Sequence, residues 1–118
     1  MIRLLNSAVM PRAGVYSARV IDRDEFAVRL RLAVDCGELR SYIGYEETAR
    51  FVERVAGVAI HVSREPTSLD DGDTMLVARV RYRVDPRRKG APLALSDGDF
   101  EFLLVEFREE RQAADAQS

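Results

Sequence analysis

Three arginines on alternate positions of one run are the residues of this chain best suited by type and spacing to grip a phosphate. In TMLVARVRYRV, Thr74 to Val84, period-two alternation puts Met75, Val77, Arg79, Arg81 and Arg83 on one face and Leu76, Ala78, Val80, Tyr82 and Val84 on the other. A guanidinium offers planar, bidentate donors to an oxyanion, so such a row can line a groove for phosphates. The same spacing also describes a solvated sheet face paired with carboxylates, and spacing alone makes that the commoner outcome.

A second candidate is a tyrosine at a corner. SYIGYEETARFVERVAG, Ser41 to Gly57, reads as a strand that runs through Ile43, turns at Gly44 and enters a helix near Tyr45 and Glu46. The start of a helix carries unpaired N–H groups and partial positive charge, which suits a phosphate. Glu46 and Glu47 are anions that use the same field. The corner is therefore either functional or merely well capped, and the local sequence does not choose.

Other reactive residues have blander readings. His61 lies on an apolar, strand-like run with nothing in sequence to build a triad or a metal shell around it, and is read as a half-buried structural residue. Cys36, the single cysteine, precedes Gly37 at the end of an element and is also read as structural. The basic run PRRKG, Pro86 to Gly90, is the usual composition of a surface loop, with guidance of an anionic ligand as the minority reading.

Bulk properties bound these options. With 118 residues the chain is about one domain, expected over residues 1–110 with a flexible tail at 111–118. Its net charge of −2 gives no global electrostatic case for coating DNA or an anionic membrane, so no DNA partner and no membrane are expected. One cysteine excludes an internal disulfide, and with one histidine it excludes the usual Cys/His zinc site. No apolar run approaches the roughly 20 residues of a membrane span, and a cytoplasmic protein is expected.

The elements that must position these residues follow from periodicity. MIRLLNSAVM is a short apolar segment ending in a turn at Pro11 and Gly14, and VYSARVID alternates as a strand. Asp22 with Glu25 forms a capping box for a helix through Phe26, Leu30 and Ala33, although Phe26, Val28, Leu30, Leu32 and Val34 also alternate with period two. LRSYIG is a strand. Thr48, Ala49, Val52, Val55 and Ala56 share one face of the next helix, which Gly57 ends. VAIHVSR is strand-like, and FEFLLVEF is the last strand. Two helices among some five strands predict an α+β layer with a mixed sheet, a two-layer sandwich.

In order and spacing, these pieces resemble a known family. LLNSAVMPRAGVY, SYIGYEETARFV, VSREPTSLDDGDTMLVARVRYRV and the final apolar strand are similar to the small viral and mobile-element ring nucleases that act as type III anti-CRISPR proteins. The resemblance covers about Leu4 to Val84, with LLNSAV and the Ile-Gly-x-x-x-Thr-Ala segment its most specific parts. It implies a twofold homodimer that binds cyclic tetra-adenylate, the second messenger of type III CRISPR immunity, in a pocket across the dimer and cleaves it without a metal or other cofactor. Such a ring matches a twofold dimer because each protomer can treat one half identically.

Residue by residue, the resemblance implies the following roles. Tyr45 stands where the family has its catalytic histidine, after Ile43 and Gly44, and Thr48 matches the threonine that follows. Asn6 matches an N-terminal strand asparagine with Ser7 beside it, both offering hydrogen bonds to ribose or base, and Arg64 matches a pocket arginine. Arg83 matches the strand-end arginine on the scissile phosphate. Three residues beyond, the family's glutamate is replaced by Pro86, with Asp85 one step earlier.

Cleavage in this class is attack of a ribose 2′-OH on the neighbouring phosphate with expulsion of a 5′-oxygen that needs a proton. An imidazole near pKa ~6.5 supplies it readily, whereas a phenol sits near ~10. The expectation is therefore a cyclic-oligoadenylate-binding protein that cleaves its ligand slowly or atypically. The alternatives are a non-hydrolytic sponge or sensor of the same fold, and a DNA- or protein-binding regulator.

Overall fold

The computed structural model describes residues 1–80 and 97–110. Their elements in order are β1 (Ile2–Leu5), β2 (Val15–Ile21), α1 (Arg23–Asp35), β3 (Leu39–Ser41), α2 (Glu46–Ala56), β4 (Thr74–Val80) and β5 (Phe100–Arg108), with a 3-10 turn at Asp97–Asp99. The strands form one five-stranded sheet in the order β2-β5-β4-β1-β3. β1 runs parallel to both β3 and β4, with Leu4 opposite Ser41 on one side and Leu76 on the other. β5 is antiparallel to β4 and β2. The expected α+β class with a mixed five-stranded sheet and two helices is what the structure has.

Alternation along the strands builds two apolar faces. Leu4, Leu76, Ala78, Phe100, Phe102 and Leu104 meet Phe26, Ala27, Leu30 and Ala33 of α1 and Ala49, Phe51, Val52 and Ala56 of α2 in one core. Phe51 stacks on Phe100 with ring centroids 4.0 Å apart, a contact not anticipated from the spacing of α2. Each such ring withdrawn from water stabilises the fold by about 1.5–3 kcal/mol. The opposite face gathers Leu5, Tyr42, Leu69, Met75, Val77, Leu103, Val105 and Phe107. There Arg12 ties the β1–β2 connection down, donating to Leu69 O at 3.1 Å and to Glu109 at 2.8 Å.

Local chemistry explains where elements begin and stop. Asp22 caps α1, accepting from the Glu25 N–H at 2.7 Å, but Glu25 does not complete a capping box: its carboxylate accepts from Arg19 and Arg29 instead. In α1 the helical period prevails over the period-two pattern, at the expense of leaving Val28 and Leu32 exposed. Gly57 ends α2 in the left-handed region at φ 70°, where a glycine avoids the steric cost of a Cβ.

Two expected strands are corrected. The strand at residues 39–43 stops at Ser41, with one further bond to β1 from the Tyr42 N–H, while the Ile43 N–H donates to the Ser41 hydroxyl at 3.3 Å. VAIHVSR forms no strand. Its backbone is claimed by neighbours of other kinds, with the Ile60 N–H donating to Glu53 at 2.8 Å and the Ser63 N–H to Ile43 O at 2.8 Å. The place in the sheet is taken by β1, from the segment read only as an apolar run.

Candidate functional site

The parallel strands β1, β3 and β4 end at one end of the sheet, and the described segments that leave β1 and β3 carry the candidate residues. β1 ends at Leu5 and is followed at once by Asn6, half-buried, and Ser7, exposed. β3 ends at Ser41, and Tyr42 stays attached to β1 by donating to Leu4 O at 2.8 Å. The chain then turns through Ile43 and Gly44 into α2. In open sheets with parallel strands, the crevice beyond the carboxyl ends is where ligands bind, because loops and helix N-termini converge there.

Tyr45 is the N-cap residue of α2, in extended conformation at φ −119° and ψ 129°. Its side chain makes no capping hydrogen bond and is 61% exposed. Its carbonyl opens the helix by accepting from the Ala49 N–H at 3.1 Å. Capping in the ordinary sense, one of the two readings of this corner, is therefore not the role of the phenol. Glu46 and Glu47 lie in the first turn, both exposed, and Glu46 approaches Arg50 at 4.0 Å. Thr48 is buried, 6% exposed, beneath the corner.

The segment from Val58 to Arg64 is strapped across this corner. Ser41 Oγ donates to His61 O at 2.7 Å, the Ser63 N–H donates to Ile43 O at 2.8 Å, and Arg64 Nε donates to Gly44 O at 3.3 Å. An added methyl on Gly44 would meet Arg64 Cγ at 3.6 Å and Ser63 O at 3.7 Å, so the strap lies in ordinary contact with the corner. Arg64 is exposed, and with Nε committed to the backbone its terminal nitrogens remain as a two-pronged donor. The far end of the strap is held by Glu53, whose carboxyl is kept below the usual glutamate range by the Ile60 N–H and then by Arg50.

Arg64 is held to the residue before Tyr45 by its bond to Gly44 O, with Asn6 and Ser7 leaving the neighbouring strand at the same end of the sheet. Arg79 pairs across the sheet with Glu101, which sits opposite it in register. At that position the carboxylate-paired sheet face is what the structure contains. Arg81, Arg83 and Asp85 lie outside the described residues, as does Pro86. His61 is exposed, and Cys36 is the exposed C-cap of α1. Sequence reasoning missed Ser41 and the strap; a serine ending a strand three residues before a glycine was the available signal.

A cleft of about 220 Å³ lies elsewhere, lined among others by Ile2, Thr74, Leu32 and Cys36. Ile2 and Thr74 begin β1 and β4, so this cleft is at the opposite end of the parallel strands from Tyr45.

This architecture defines a small α+β protein with both helices on one face of a mixed sheet and an open helix-entry corner. The chain belongs to the STIV B116-like family, whose model matches residues 2–101. A solved structure of B116 of Sulfolobus turreted icosahedral virus superposes with a TM-score of 0.73, covering 88% of this chain and 97% of that one, at 20% identity. At that identity the likeness speaks for the fold. An uncharacterized protein of Bacillus subtilis (strain 168), YddF, is 36% identical over 64 residues, which are 54% of this chain and 57% of that protein's length.

Proposed function

We propose that this protein binds cyclic oligoadenylate, most of all cyclic tetra-adenylate, across a twofold dimer, and cleaves it slowly to linear products, blunting type III CRISPR signalling. The observation that carries the reading is the convergence at one sheet edge of Asn6 and Ser7 with Gly44, Tyr45 and Arg64, beside a helix N-terminus that Tyr45 leaves uncapped by its side chain. These are the positions at which the resemblance to ring nucleases puts ligand contacts. Arg64 neutralises a phosphate, the α2 N-terminus adds partial positive charge, and Tyr45 donates its phenolic proton toward the leaving 5′-oxygen. Arg83 and Asp85 complete the site in this reading.

A second reading keeps the binding and drops the turnover. The exposed phenol at the reactive corner favours it, because a phenol is a much weaker acid than the imidazolium the reaction would otherwise use to protonate its leaving group. One experiment tests both. The protein is incubated with a panel of cyclic oligonucleotides, and bound ligand and linear products are measured separately, with light scattering on the same samples. Binding with products supports the ring nuclease, binding without them the sponge. Absence of binding to every cyclic oligoadenylate, or monomer alone with and without ligand, overturns the proposal.

A further inference from the structure

The structure assigns Ser41 as a positioning residue of the corner that carries Tyr45 and Arg64, an inference that rests on the proposed reading of that site. Ser41 is the last residue of β3, and its hydroxyl is used in both directions. It donates to His61 O at 2.7 Å and accepts from the Ile43 N–H at 3.3 Å. A hydroxyl is the smallest side-chain group that can donate and accept at once. One bond lies within the turn that leads from β3 toward Gly44. The other fixes where the strap begins its run across that turn.

From this anchor the two segments stay in step. Ser41 holds His61, Ile43 O accepts from Ser63, and Gly44 O accepts from Arg64 Nε, in the same order along both segments. The spacing between Arg64 and the N-cap residue Tyr45 is therefore set through Ser41, which is itself half-buried and uses its hydroxyl for bonds within the protein, the one to His61 O at the surface. Ile43 is fully buried. Without the serine oxygen its N–H loses an acceptor at the point where the chain leaves the sheet, and the strap loses its first tie.

The experiment combines hydrogen exchange with ligand affinity. In the native protein the amides of Ile43 and Ser63 should open together. In Ser41→Ala they should exchange faster along with the first turn of α2, while β4 and β5 keep their protection, and Ser41→Thr should restore the native pattern. Affinity for cyclic tetra-adenylate should fall about tenfold in Ser41→Ala, the scale of one lost hydrogen bond. Arg64→Ala should then cost much less in the Ser41→Ala background than in the native one, because the arginine has already lost its placement.

Independent opening of Ile43 and Ser63 in the native protein overturns the inference, and that measurement needs no variant. So does unchanged exchange in Ser41→Ala, or an Arg64→Ala effect of equal size in both backgrounds. Should the native protein bind no cyclic oligoadenylate, the functional reading fails by itself, and exchange still decides whether Ser41 ties the strap to the corner.

Discussion

Arg3 and Asp73 form an ion pair that is almost entirely out of water, with Arg3 Nη2 3.1 Å and Nε 3.2 Å from Asp73 Oδ2. Only 4% of Arg3 and 5% of Asp73 are exposed. The same carboxylate oxygen accepts from the Asp70 N–H at 2.8 Å, so the pair also fixes the turn that leads into β4. Removing one partner of a buried pair leaves the other uncompensated, typically at a cost of about 3–5 kcal/mol. Arg3→Met should destabilise by about 3 kcal/mol in urea unfolding, toward the low end because the Asp70 N–H remains. A loss under about 1 kcal/mol would show that the pair contributes little beyond what an apolar contact supplies.

Acid should weaken the fold through Asp73. Burial pushes its carboxyl up, but the Asp70 N–H and the Arg3 charge together outweigh burial and hold it below the ordinary aspartate value of 3.8. A carboxyl depressed in the folded state stabilises at pH above its unfolded value, and that contribution is lost as pH falls through the folded value. The loss should therefore begin near 3.8 and deepen below it. Urea midpoints measured from pH 7 to pH 2 should show a shallower acid limb in Asp73→Asn than in the native protein. An identical slope would assign the acid sensitivity to other carboxylates.

Much of this fold is legible in the sequence because its pattern and its packing agree. The alternation of Thr74 to Val80 becomes β4, with Leu76 and Ala78 on the helix side and Met75 and Val77 on the other. Where reading failed, a side chain or a distant segment had settled a backbone hydrogen bond. Residues 58–64 have strand composition, yet their partners are Glu53, Ser41 and the turn at Ile43, which no local pattern reveals. The candidate site was legible only in part. A corner at Tyr45 can be read from Gly44 and the helix that follows, but the approach of Arg64 spans 20 residues and depends on the strap.

Arg64 should matter to ligand more than to stability. Its guanidinium is exposed and, among the described residues, bonds only to Gly44 O at 3.3 Å, so Arg64→Ala removes little packing. Against a phosphate the remaining nitrogens make charge-assisted hydrogen bonds, worth roughly 1.5–3 kcal/mol. Titration of Arg64→Ala with cyclic tetra-adenylate should show that loss, with a thermal midpoint near the native one. Native affinity in the variant would remove Arg64 from the site.

The phenol of Tyr45 separates binding from turnover. It is exposed, free of any capping role and attached to the first residue of the helix entrance, so exchange for histidine should leave the fold and the ligand affinity nearly unchanged. General acid catalysis contributes about 10²–10⁴-fold when the acid's pKa suits the working pH, and an imidazole near ~6.5 suits neutral pH better than a phenol. Tyr45→His should therefore raise the cleavage rate of cyclic tetra-adenylate at pH 7 without a matching change in binding. Tyr45→Phe distinguishes the remaining cases: a large loss of turnover makes the phenol the proton donor, and unchanged turnover leaves Tyr45 to stacking on the ligand. If Tyr45→His binds but cleaves no faster than background, the proton donor is not what limits the reaction. Pro86, standing where the resemblance to ring nucleases implies a glutamate, then becomes the reason for inactivity in the proposed reading, and sequestration of the ligand becomes the function.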